Sequence, residues 1–114
     1  MDRVAVSIVP RDEGLNDLMD DRFGRAEAFV VVDGATGEVV ETIDNASVNA
    51  MHGAGTGAAN MLKSEGVDAV ISGRFGPKAS DALRALGIEA WLAPPGITAG
   101  EALRLLGDGA LEPN

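Results

Sequence analysis

The chain has 114 residues, with 18 Asp and Glu against nine Lys and Arg, a formal charge of −9, one histidine and no cysteine. That balance argues against binding nucleic acid or an anionic membrane through a cationic face. The missing thiols exclude disulfides, thiolate zinc sites, a cysteine nucleophile and protein-ligated iron–sulfur clusters.

A chain of this length buries about two-thirds of its unfolded surface in one core, so residues 1–114 are expected to form one domain. No apolar run approaches the roughly 20 residues of a bilayer span. The opening MDRVAVSIVPRDE has no signal-peptide pattern, and the expected setting is cytoplasmic.

In chain order, residues 4–9 (VAVSIV) read as a buried strand stopped by Pro10. Residues 11–27 are a long polar loop with a helical turn around 15–19. Residues 28–33 (AFVVVD) and 38–43 (EVVETI) flank the turn GATG and predict a hairpin. A second polar loop, 44–53, leads to a helix over 55–64 that Gly66 closes. Strand 68–72 precedes a helix opened by Pro77 and closed by Gly87. Strand 89–92 precedes a third helix, over 98–107, where Thr98 and Glu101 form a capping box. Strands separated by helices pair in parallel through right-handed crossovers, while the hairpin forces one antiparallel strand. The expected fold is an α/β domain with a five-stranded mixed sheet, order 3-2-1-4-5, flanked by helices in a ribonuclease H-like or flavodoxin-like arrangement.

In that sheet the loops 10–27, 44–54, 73–76 and 93–97 share the carboxyl edge, where open α/β sheets bind ligands. The tripeptide Arg-Phe-Gly occurs twice, as Arg22-Phe23-Gly24 before Arg25 and as Arg74-Phe75-Gly76 before Pro77-Lys78. Both copies fall at this edge, in a protein with no acid over 45–64 or 69–80. So does His52-Gly53-Ala54-Gly55-Thr56-Gly57, which opens the first helix. Two helix N-termini, near 55 and 77, offer unpaired N–H groups. Arg22, Arg25, Arg74 and Lys78 add charge that suits an anion, and glycines 53, 55, 57, 73 and 76 leave backbone unobstructed.

Each feature also has a structural explanation. Phe23 and Phe75 are either walls of the site or plugs of the core. Arg22 and Arg74 could pair with Asp20, Asp21 or Asp81. His52 could be a loop hydrogen-bonder, and GAGTG lacks the GK[ST] ending of a phosphate loop. Met19 and Met51 are either gap fillers or soft contacts to copper.

The patterns D-x-R-F-G-R-A (20–26), N…H-G-A-G-T-G-A (45–58) and G-R-F-G-P-K-A (73–79), followed by G-I-x-x-W (87–91) and T-x-x-E-A-L (98–103), resemble the dinitrogenase iron–molybdenum cofactor biosynthesis family over nearly the whole chain. The resemblance is strongest to small members that carry a molybdenum–copper sulfide cluster without covalent attachment. It implies a non-catalytic carrier of a preassembled, anionic molybdenum-containing metal–sulfur cluster, of molybdenum–copper sulfide or iron–molybdenum type. A cluster that brings its own sulfides needs no protein thiolate.

The expected cluster site comprises Arg22, Phe23, Gly24, Arg25, Met51, His52, Gly53, Gly55, Thr56, Gly57, Arg74, Phe75, Gly76 and Lys78, with Met19, Met51 and His52 open as direct metal contacts. Catalytic residues are not expected. The expected partners are the cluster and a donor or acceptor protein, with neither nucleic acid nor membrane, and the chain is expected to be a monomer or weak dimer.

Two alternatives come from other classes. One is a ribonuclease H-like two-metal phosphotransfer enzyme, whose candidate carboxylates are Asp33, Asp44 and Asp68. The other is a nucleotide-sensing or partner-binding module, supported by GAGTG alone.

Overall fold

Strands β1 (Arg3–Ile8), β2 (Ala28–Asp33) and β4 (Ala69–Ser72) are runs of Val, Ile, Ala and Phe with almost every residue buried. Central strands covered by helices on both faces require that composition. The computed structural model, which describes all 114 residues, places them inside one mixed sheet with β3 (Val39–Asp44), β5 (Glu89–Leu92) and β6 (Glu112–Pro113), in the order β3-β2-β1-β4-β5-β6.

β1 runs antiparallel to β2, from Arg3 opposite Asp33 to Ile8 opposite Ala28, and parallel to β4. β4 pairs in parallel with β5, and β3 closes the other side antiparallel to β2. The predicted order 3-2-1-4-5 is therefore contained in the sheet. The prediction of five strands is corrected to six. β6 pairs antiparallel with β5, setting Trp91 opposite Pro113 and Leu92 opposite Glu112. Two residues carry no period, and proline is a poor strand signal, tolerated here because β6 is an edge. Leu111 anchors this tail in the core and the Asn114 amide donates to the Ala90 carbonyl at 2.9 Å.

Alternation along the strands divides the core in two. Phe29 and Val31 face α1 (Ala54–Ser64) and α2 (Pro77–Ala85), packing with Leu62, Val70 and Leu83. Val4, Val6, Ile8 and Val30 face the side of α3 (Ala99–Gly107), with Ile71 and Ala102.

The helical turn expected at 15–19 is a short 3-10 turn over Gly14–Asn16. The rest of that segment is held in extended form. Ile8 bridges Met19 and Leu18 bridges Thr98, while buried Asp17 accepts the amides of Arg11 and Glu13. No helix is long and apolar enough to cross a membrane.

Candidate functional site

The second half of the long first loop is threaded across the carboxyl ends of β1 and β4. The Ser7 hydroxyl, 2.8 Å from that of Ser72, donates to the Asp20 carbonyl at 2.7 Å, and the Asp20 amide donates to the Ser7 carbonyl. Residues 22–24 then run beside residues 74–76. Arg22 and Arg74 form a parallel bridge, and the Phe23 amide donates to the Arg74 carbonyl at 3.1 Å. The Phe23 and Phe75 rings lie 5.1 Å apart at 37°, and the Phe29 ring packs against Phe23 at 5.5 Å, tilted by 54°. The two Arg-Phe-Gly copies are thus neighbouring strands of one small platform.

Close packing brings the third loop to the same place. A Cβ on Gly24 would stand 2.8 Å from the Gly55 nitrogen, and one on Gly55 would stand 2.6 Å from the Ala79 Cβ. These two glycines let the first Arg-Phe-Gly segment, the start of α1 and the start of α2 touch. Between them opens a cleft of about 710 Å³, inside the range of small-molecule sites.

Eleven of the fourteen expected residues line it: Arg22, Phe23, Gly24, Arg25, Gly53, Gly55, Thr56, Arg74, Phe75, Gly76 and Lys78, together with Ala54, Pro77 and Ala79.

The cleft is rich in donors that have no acceptor. Gly53 at the start of α1 and Gly76 at the start of α2 supply no side-chain cap. The amides of Ala54, Gly55, Thr56, Lys78 and Ala79 accordingly have no acceptor within the protein. At α3, by contrast, Thr98 Oγ1 accepts from the Glu101 amide at 3.2 Å. Exposed helix starts of this kind favour anions.

The four cations are held differently. Arg22 Nε lies 3.4 Å from Asp20 Oδ1, which also accepts the Arg22 amide at 2.9 Å. Arg25 Nη1 donates to the Val48 and Ala50 carbonyls at 3.0 and 2.6 Å. Arg74 and Lys78 have neither an ion pair nor a side-chain hydrogen bond.

Three expected residues lie off the cleft. Met51 is 87% exposed on the 45–53 loop, His52 beside it is also exposed, and neither lines the cavity. Gly57 faces Ser47, whose side chain a Cβ there would strike. Met19 is 5% exposed in the core on the α3 side of the sheet and does not line the cleft, which agrees with its reading as a gap filler. Phe23 is both a core residue, at 1% exposure, and part of the cleft floor, so the two explanations of it are compatible.

One expected pairing, Arg22 with Asp20, is present, and one supporting residue, Asn45, was missed. Asp20 orients Arg22, and buried Asn45 donates Nδ2 to the Gly24 and Ala26 carbonyls at 3.2 and 2.8 Å while accepting the Ser47 amide. Asp20 begins the D-x-R-F-G-R-A pattern and Asn45 begins N…H-G-A-G-T-G-A.

A family model described as dinitrogenase iron-molybdenum cofactor matches residues 3–109. The chain is 36% identical over 99 residues to an uncharacterised protein of Methanocaldococcus jannaschii, covering 85% of this chain and 83% of that one. Its structure is similar to the apo form of the orange protein from Desulfovibrio gigas, with a TM-score of 0.91 at 42% identity over 100% of this chain and 97% of that one. A NifB-like protein from Thermotoga, solved by NMR, gives a TM-score of 0.83 at 34% identity over 99% and 93%. The chain belongs to the dinitrogenase iron–molybdenum cofactor family.

Proposed function

We propose that this chain is a non-catalytic carrier that holds a preassembled, anionic, molybdenum-containing metal–sulfur cluster in the cleft without covalent attachment. The observation that carries the reading is the parallel pairing of Arg22 with Arg74 beside two uncapped helix N-termini. The bridge puts the two arginines on adjacent strands of one platform, so a single anion can take a charged contact from each while the helix starts supply amide donors. Cations and backbone amides can both donate to sulfide, so the absence of cysteine is no obstacle.

Phe75, Pro77, Ala54 and Ala79 line the same cleft and put apolar surface beside the cations, which lowers the local dielectric and strengthens each charge contact. Molybdenum–copper sulfide and iron–molybdenum clusters are the two compositions the family resemblance implies. The reading includes residues 1–114 acting as one unit in the cytoplasm, as a monomer or weak dimer, with a separate donor or acceptor protein.

The ribonuclease H-like enzyme alternative needs carboxylates that converge on metal ions. Asp33 accepts the amides of Ala35 and Thr36, and Asp68 accepts those of Asp2 and Arg3, both at the edge away from the cleft. Asp44 ends β3 opposite Ala28, and no three His, Asp or Glu side chains group closely enough for a metal.

The test is to titrate apo protein with tetrathiomolybdate, with and without Cu(I), and separately with ATP and GTP. A stoichiometric visible band is expected with the thiometallate. At a hundredfold excess over Kd it should bring about 2.7 kcal/mol of added stability, a rise in Tm of about 10 °C or more. A thermal shift with nucleotide and none with thiometallate refutes the carrier reading in favour of the nucleotide-sensing module.

A further inference from the structure

Arg25 belongs to the cleft and to the 46–52 loop at once. It lines the cavity, yet its Nη1 is the donor to both loop carbonyls, Val48 at 3.0 Å and Ala50 at 2.6 Å. A guanidinium has five N–H donors, two of them on Nη1. Those two are occupied by the loop, so Nε–H and both Nη2–H remain, and they form the forked edge that grips anions bidentately. The loop has few other ties. Within it, Ser47 donates to Asn45 Oδ1, Val48 to the Asn45 carbonyl and Ala50 to the Ser47 carbonyl. It ends at Gly53, held at φ 75°. Exposed Met51 and His52 stand at its far end.

We propose that Arg25 couples loading of the cleft to the order of this loop. Resting on the carrier reading, the inference is that an anion fixes Arg25 from one side while Val48 and Ala50 fix it from the other. Each contact lowers the freedom the other must remove. Loading therefore stiffens the 46–52 loop and presents Met51 and His52 in one arrangement, giving loaded and empty protein different surfaces at the cleft rim. By linkage, the ordered loop strengthens the hold on the anion to the same degree.

Amide exchange at Ser47, Val48 and Ala50, with and without tetrathiomolybdate whose uptake is read from its visible band, tests the coupling. Loading is expected to slow exchange at these three amides about five- to tenfold, the lower range of measured couplings. In Arg25→Ala the empty protein is expected to exchange them at least about tenfold faster than wild type, since the loop loses both of its hydrogen bonds to the guanidinium and one such bond is worth about tenfold. Added thiomolybdate should then no longer slow them. Arg25→Lys keeps the charge without the fork; it should bind the probe more weakly, and at thiomolybdate concentrations raised until its visible band is saturated its loop should still be less protected than that of loaded wild type. Uptake by wild type with an unchanged or faster loop overturns the coupling and leaves the carrier reading intact. Failure to take up the probe at all overturns both.

Discussion

Arg74 and Lys78 stand free of any acid or carbonyl, whereas Arg22 rests on Asp20, a carboxylate whose side chain is 8% exposed. The same residue type at equivalent positions of the two Arg-Phe-Gly copies therefore has different work. Arg74→Ala removes a charge with no partner, so apo stability should stay within about 0.5 kcal/mol of wild type or rise. Thiometallate affinity should fall about ten- to a hundredfold, the worth of one charge-assisted contact. Arg22→Ala should lower both, because it leaves Asp20 buried with a single amide donor. Its apo stability is expected to drop by roughly 1 kcal/mol. Parallel urea unfolding and thiometallate titration of the two variants decide this, and equal stability losses would show that Arg74 has a structural role.

Asp33 makes a different prediction. Hydrogen bonds from the Ala35 and Thr36 amides, helped by Arg3, hold its carboxyl below the usual carboxylate range. The charged form is favoured in the folded state. Its contribution is therefore complete above the ordinary carboxylate pKa and disappears as the pH falls through the lowered value. Asp33→Asn keeps an acceptor in the turn but removes that titration, so its acid unfolding curve should be flatter than wild type from about pH 5 downward.

Helix caps separate fold from function at the scale of elements. α3 has a threonine cap and lies on the opposite face of the sheet from α1 and α2; α2 has glycine and opens into the cleft. Thr98→Ala should cost about 1 kcal/mol, lowering Tm by about 4–8 °C, and leave thiometallate uptake unchanged. Gly76→Asp should do the reverse. A Cβ at Gly76 meets nothing within 4 Å and its backbone is extended (φ −69°, ψ 164°), so a carboxylate there can cap the Lys78 and Ala79 amides. Apo stability should rise by roughly 0.5–1 kcal/mol, while the cleft loses both donors and gains a negative charge. Uptake by Gly76→Asp at wild-type affinity would mean that α2 contributes nothing to the site.

The contrast was half legible in the sequence. Thr98 and Glu101 announced a capped helix, and Gly76-Pro77 an uncapped one, because capping chemistry is local. What β6 does was illegible, since a two-residue strand exists only through its partner. Asp20 was legible as a partner of Arg22 and Asn45 as the head of a pattern, but the burial of both was not: an acidic or amide side chain in a polar loop reads as solvated until tertiary packing buries it.

At the scale of the whole molecule, parallel pairing was the inference that mattered. Once β1 and β4 are parallel neighbours and β2 is antiparallel, the two Arg-Phe-Gly segments must leave from one edge, and the structure sets them side by side. Sequence spacing could not distinguish Gly55, which faces the cleft, from Gly57, which faces Ser47. It also could not place Met51 outside the cavity. Those distinctions depend on helix phase and loop path.

The charge pattern leads to a last prediction. An anion approaching this protein meets a local cluster of four cations within a body of net charge −9. The molecule measures 33 × 27 × 24 Å. In about 0.01 M salt the screening length is about 30 Å, so the anion senses the repulsive whole. In about 0.1 M salt the length falls to about 10 Å, and the cleft dominates. Near 1 M it is about 3 Å, and the contacts themselves are screened. Thiometallate affinity should therefore be highest near 0.1 M salt and weaker at both extremes. The rise from low salt should appear in the association rate, and the later fall in the dissociation rate. Substituting Arg74 or Lys78 by Ala should flatten the high-salt fall and leave the low-salt rise in place. A monotonic decline from 0.01 M upward would show that the cleft cations, and not the acidic body, set the field at every distance.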